Sequence, residues 1–187
     1  MALPDTTVVQ VGTALILADT TDHSPATANN LGTRTDQIDL TSVANAAARE
    51  SDKLDLGANR AFGYSVYCAF EFAATPTAGN TVDLYWAPSN NTTASTANPG
   101  GVSGSDGSYT GTSASTIDES VLQLQYIGSF VCSDDATGTV QQGYVGSFMP
   151  TERYGTLVVY NNSGAAFHSD MVETSIAITP MSYVTVD

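Results

Sequence analysis

Between residues 62 and 72 every second side chain is large and apolar: Phe62, Tyr64, Val66, Cys68, Phe70 and Phe72. Gly63, Ser65, Tyr67, Ala69 and Glu71 fill the gaps. An apolar period of two places one set of side chains on one face, which is the pattern of a strand with one buried side. Pro76, Gly79 and Asn80 then interrupt the run, as turn residues do. Beyond them Val82, Leu84 and Trp86 alternate with Thr81, Asp83 and Tyr85. Two alternating runs around a Pro/Gly/Asn turn predict a long antiparallel hairpin over residues 62–88, with its aromatic face as the core.

Similar segments recur along the chain. Residues 6–18 are rich in β-branched side chains, and Val9, Val11, Leu15 and Leu17 share one parity. Further strands are predicted at 37–40, 121–132, 139–148, 156–160, 171–178 and 181–186, with Pro180 ending the penultimate one. Leu122, Leu124 and Tyr126 are expected on one face, and Gly128 marks a bulge or bend. The alanines of residues 42–50, with Thr41 or Ser42 as cap, predict one short helix. The fold class is therefore all-β. The expectation is an antiparallel β-sandwich or jelly-roll-like barrel of about 8–10 strands with an extended N-terminal arm.

Two parts follow. Residues 1–60 read as a first strand and an arm carrying the short helix, and residues 61–187 as the sandwich body. Within the arm, residues 19–60 hold too few large apolar groups, too widely spaced, for a core of their own. Residues 89–119 are almost devoid of large apolar groups and are expected to form a solvated polar loop.

Charge narrows the functions. The net charge is −14, with one lysine, Lys53, and four arginines, Arg34, Arg49, Arg60 and Arg153. Binding nucleic acid requires cations that displace phosphate counterions, so no nucleic-acid partner is expected. The same charge opposes anionic lipid surfaces, and no apolar run approaches a membrane span. The first ten residues lack the basic and apolar regions of a signal peptide, so no secretory route is expected. Cys68 and Cys132 flank Trp86 in the order found in immunoglobulin domains, but Phe130 stands where the corner tyrosine belongs. They read as two buried free thiols.

Chemistry-bearing patterns are sparse. His23 and His168 are the only histidines. In His168-Ser169-Asp170, neighbours on an extended chain point to opposite faces, which is unsuited to a catalytic triad. Glu71 and Asp83 fall on the polar parity of the predicted hairpin, where paired carboxylates could serve a glycosidase. The Gly-rich stretches lack the lysine and helix of a phosphate loop. The chain is therefore read as a non-enzyme, with no catalytic, cofactor or metal residue assigned.

The segments ATPTAGNTVDLYWAPSNN, NPGGVSGSDGSYTG, LQYIGSF and RYGTLVVYNNSGAA resemble a group of small virion proteins of tailed bacteriophages, over roughly residues 36–180. The resemblance implies a structural particle component made in the host bacterial cytoplasm and located in the virion. A capsid decoration protein is expected, bound to the major capsid protein or other virion proteins and to its own copies, with a trimer as the expected oligomer. Tail and head-fibre components are the alternatives, as is a carbohydrate-binding module stacking sugars on Tyr67, Tyr85 and Tyr109.

The arm is the expected contact element. Leu31, Ile38, Leu40, Val43, Leu54 and Leu56 could fill pockets on a partner, and Arg34, Arg49, Lys53 and Arg60 could meet acidic patches there. The competing expectation is that the arm wraps its own sandwich.

Overall fold

The structure, a computed structural model, describes residues 6–25 and 29–186. Residues 1–5 and 26–28 of the expected arm lie outside them. The strands, in chain order, are β1 (Thr6–Val11), β2 (Leu15–Ala18), β3 (Asp36–Gln37), β4 (Ala47–Glu50), β5 (Leu54–Asp55), β6 (Gly63–Phe70), β7 (Thr81–Ser89) and β8 (Gly107–Tyr109). After a one-turn helix α1 (Ile117–Ser120) and a 3-10 turn (Val121–Gln123) come β9 (Gln125–Val131), β10 (Gln141–Phe148), β11 (Tyr154–Asn162) and β12 (Ser175–Val186).

They form two six-stranded sheets, almost wholly antiparallel. The first runs β10-β6-β12-β2-β3, with β1 also paired to β12. The second runs β8-β4-β11-β7-β9, with β5 also paired to β11. The chain is thus an all-β sandwich. Tyr64, Val66, Cys68, Phe70 and Phe72 are buried, as the alternation predicts, and pack with Leu84, Trp86, Leu157, Val159, Phe167 and Ile176 in the core between the sheets. Phe62 is the exception and is exposed.

The predicted hairpin is not formed. β6 pairs with β10 and β12, whereas β7 pairs with β11 and β9 in the other sheet. The connection is an arch that carries the chain across the sandwich. An arch and a hairpin have the same alternating sequence, because either one turns a single face of each strand toward the core.

The predicted helix over 42–50 is also overturned. Ala47–Glu50 is strand β4, held between β11 and β8, and Ser42 and Ala46 adopt left-handed backbone before it. Nine residues make a marginal helix, and the ladder along β11 supplies hydrogen bonds that outweigh alanine's helix preference. The one helix is α1, fixed by a capping box between Thr116 and Glu119. The 121–132 segment starts as the 3-10 turn. Leu124 is accordingly buried while Leu122 and Tyr126 are exposed, and the three do not share a face. The bulge expected near Gly128 is present, as a register shift of β9 against β7 between Gly128 and Tyr126.

Pro180 does not end a strand. β12 runs through it for twelve residues. Its partner changes instead. β2 pairs with β12 as Leu17↔Ile176, β1 as Val9↔Tyr183, so the register slips by one residue across 12–14. A one-residue slip exchanges the two faces of a strand. Leu17 therefore points into the core, whereas Val9 and Val11 lie on the outer face beside Tyr183 and Met181, against the expectation from shared parity.

Both long edges of the sandwich are closed. At one edge β9 meets β10 through glycine. A Cβ on Gly128 would lie 2.3 Å from the Val145 carbonyl oxygen, and one on Gly146 would lie 2.3 Å from that of Ile127. Only residues without a side chain allow this approach. At the other edge the closure is polar, through Arg49 and Asp106.

Candidate functional site

The residues expected to reach a partner are mostly engaged within the chain itself. Ile38, Leu40, Leu54 and Leu56 belong to the main core, with Val43 packed against it. Burying each such side chain is worth about 1.5–3 kcal/mol, which is why the segment folds back. β1, β2 and β3 enter the first sheet, and β4 and β5 the second, so the described strands of this segment are built into the sandwich. Leu31 is half-buried.

The cations are engaged likewise. Arg49 donates from Nε and Nη2 to both oxygens of Asp106, at 3.0 and 2.8 Å, and lies 3.6 Å from Asp39. Asp106 also accepts from the Asp39 N–H at 3.0 Å and the Gln37 amide at 3.4 Å. This network ties the β3 edge of one sheet to the β4–β8 edge of the other. The hydrogen bond to Asp106 is the main reason that Arg49 holds its proton more firmly than usual. Lys53 Nζ reaches Ser89 Oγ (3.0 Å) and the carbonyls of Asn91 (3.2 Å), Thr93 (2.8 Å) and Thr96 (2.9 Å). Burial lowers its pKa. Arg60 donates to the Thr151 carbonyl at 2.9 Å. Arg34 is half-buried beside Asp36. The contact role expected of Ile38 and Leu40 is corrected, because both are buried in this chain's own core, and Arg49 and Lys53 make their contacts within the same sandwich.

Residues 89–119 are largely exposed, as expected of a polar loop, but they are pinned to the second sheet by a few buried side chains. Val102 and Tyr109, with Val121 and Leu124 just beyond, pack on Ala48, Ala87, Val158 and Tyr160 of the second sheet. They make a second, smaller core on the sheet's outer face. The Tyr109 hydroxyl donates to the Gly100 carbonyl at 2.6 Å. Arg49 and Lys53 hold this cover in place from beneath.

The chemical patterns do not converge. Because β6 and β7 lie in different sheets, Glu71 and Asp83 sit apart. Glu71 is 3.7 Å from His168 Nδ1, and Asp83 accepts from Asn162 and Ser129. His168 Nδ1 accepts the Asp170 N–H at 3.0 Å, a contact within its own loop. His23 tethers a loop through the Gly32 carbonyl at 3.0 Å. Cys68 and Cys132 are free and buried. Burial pushes the Cys68 thiol well up and that of Cys132 to about 11, so neither supplies a thiolate near neutrality. Among the described residues no group of three His, Cys, Asp or Glu could hold a metal ion, and no helix is long and apolar enough to cross a membrane.

What the fold does assemble is a face. On the outer side of the first sheet Tyr67 stands directly opposite Tyr144, and the two are 39% and 62% exposed. Ser65, Ser147 and Thr179 form the next row, and Met181 with Val11 the row beyond. Phe62, Met149 and Tyr183 extend it, with Phe62 and Tyr183 ring centroids 5.7 Å apart. No charged residue occurs in β1, β2, β6, β10 or β12. Among the described residues, 29–35 reach one corner of this face, where Gln142 donates to the Asn29 carbonyl and Gly32 abuts Ile16. Of the tyrosines weighed for sugar stacking, Tyr67 is exposed, Tyr85 is half-buried against Tyr126, and Tyr109 is buried. Tyr144 and Tyr183 were missed by sequence reasoning. The available signal was the lack of charge in residues 139–149 and 174–186 of an otherwise acidic chain. A scan against models of known protein families finds no match, and a search of curated proteins finds none similar.

Proposed function

We propose that this chain is a non-enzymatic structural component of a bacteriophage virion, a capsid decoration protein attached to the particle surface through the outer face of its first sheet. The observation that carries the contact is the uncharged, exposed Tyr67–Tyr144 face on a protein of net charge −14. An acidic molecule meets a large neighbour at least cost where it presents no carboxylate to be desolvated. Aromatic side chains are also the residue type enriched at such contacts. The particle itself is supported by the resemblance of the turn and strand segments to small phage virion proteins. A tail or head-fibre position uses the same face. The test is mass spectrometry of purified particles together with rebinding of the purified protein to particles that lack it. Wild type is expected to bind and Tyr144→Lys to bind poorly. Absence of the protein from intact virions would overturn the reading.

A second reading, carbohydrate binding, is favoured by the same tyrosine pair flanked by the hydroxyls of Ser65 and Ser147. Exposed rings beside hydroxyls suit sugar stacking and hydrogen bonding. Glycan-array signal that is lost in Tyr67→Ala would select this reading, and an empty array would remove it.

A further inference from the structure

β1 and the C-terminal half of β12 form a two-stranded ribbon at one end of the first sheet. Six consecutive pairs join them, from Thr6↔Val186 to Val11↔Met181. β6 leaves β12 at Gly63↔Met181, and β2 pairs with it only from Leu15 to Leu17. Among the described residues, no strand pairs with the far side of β1 or with the far side of residues 182–186. The ribbon has two open edges. It is also exposed: Val11 is 62% and Tyr183 63% accessible. A cleft of about 330 Å³ beside it is lined by Val9, Phe62, Phe148, Met149, Met181 and Tyr183, among others, and by no charged residue.

Such a ribbon is marginal alone in water. Proteins usually blunt an open edge with lysine, proline or a bulge inside the strand. TTVVQV has none of these within it, being uncharged and rich in β-branched residues. That composition favours pairing with another strand.

We propose that the ribbon is a self-assembly element. β1 of one copy adds antiparallel to residues 182–186 of the next, head to tail, until a ring closes. Two arguments select a second copy as the occupant. The first is charge. Two molecules of net charge −14 repel, and residues 6–11 and 182–186, with the lining of this cleft, carry no charged side chain on the strands that would pair. The second is edge satisfaction. Each copy offers one β1 edge and one β12 edge, so head-to-tail pairing uses both in every copy and leaves none open on closure. A two-fold pairing of β1 with β1 would leave the β12 edge open in both copies. Three ribbons would supply about six strands, enough to close a small up-and-down barrel, whose closure alone removes edges. A trimer is the expected state.

This inference is independent of the virion reading and is read on the purified chain alone. Light scattering after size exclusion at micromolar concentration should give three times the 19.4 kDa chain mass. The double variant Val9→Lys/Tyr183→Lys changes two exposed side chains, so it should keep the wild-type far-UV spectrum while its mass falls to that of the monomer. Tyr144→Lys, away from the ribbon, should stay trimeric. Hydrogen exchange on the wild type provides a second measurement that needs no variant. Amides of residues 7–11 and 182–186 should become protected as concentration rises. A monomeric or dimeric wild type, a double variant that remains trimeric, or ribbon protection that ignores concentration would each overturn the proposal. Absence of the protein from phage particles would leave it standing.

Discussion

The two outer faces of the sandwich are treated in opposite ways. The second sheet is roofed by residues 89–124, which place Val102, Tyr109, Val121 and Leu124 on Ala48, Ala87, Val158 and Tyr160 and leave Leu122 exposed. Among the described residues the first sheet is covered at the Ile16 corner alone, and Tyr67, Tyr144 and Tyr183 on the same face are exposed. The difference lies in anchoring. The roof is held by Arg49 on Asp106 and by Lys53 on the loop carbonyls, whereas β6, β10 and β12 carry no charge that could fasten a polar loop. One face is therefore finished within the chain, and the other is left for a neighbour.

Substitutions on the two faces should behave differently. The largest effect is expected for Tyr109→Ala, which empties the centre of the roofed core and leaves the Gly100 carbonyl without its donor. A loss of about 3–5 kcal/mol is expected, seen in a thermal melt as a drop of roughly 10 °C or more. Next is Arg49→Ala, which leaves the part-buried Asp106 carboxylate without its charged donor. Hydrogen bonds to charged groups set the scale at about 2 kcal/mol, measured by urea unfolding. Protease nicking should then appear first within residues 89–119. On the open face Tyr144→Ala should change stability by no more than about 0.5 kcal/mol while it weakens particle binding. A large stability loss there would show that the face is load-carrying in the monomer, and would erase the contrast.

The smallest effect belongs to Asp55, which sits outside either cover. Its hydrogen bond from Arg153, at 2.7 Å, holds its carboxyl below the ordinary range. A depressed carboxylate stabilises the fold above its unfolded pKa, about 3.9, and the contribution is lost as pH falls through the lower folded value. Both side chains are nearly half exposed, so the bridge is weak. Asp55→Asn should therefore leave the neutral-pH melt almost unchanged and flatten only the acid end of the stability profile. A shift of the neutral melt as large as that of Arg49→Ala would contradict this ranking.

Several features were legible in the sequence because they are local. The alternation of Tyr64 to Phe72 states which side of β6 is buried, whatever the strand pairs with. The β-branched runs and the Pro/Gly/Asn breaks locate β7, β10 and β11 for the same reason, and burial of Cys68 follows from its parity. The candidate surface was legible only in part. Tyr67 could be placed off the core by parity, but Tyr144 could not be joined to it, because that requires the β6–β10 register.

Composition and alternation by themselves determined an all-β chain with two-faced strands and an acidic exterior. Three decisions needed the tertiary structure. Whether residues 62–88 make a hairpin or an arch depends on which partner each strand finds, since both leave the same apolar face inward. Whether residues 19–60 and 89–119 stay loose or fold down depends on contacts far away in sequence, such as Arg49 with Asp106 and Lys53 with the carbonyl of Thr96. Which way Val9 and Val11 face depends on a one-residue slip beside Pro180. Periodicity gives relative parity only within an unbroken strand, and the slip breaks it. The exposed ribbon is the consequence.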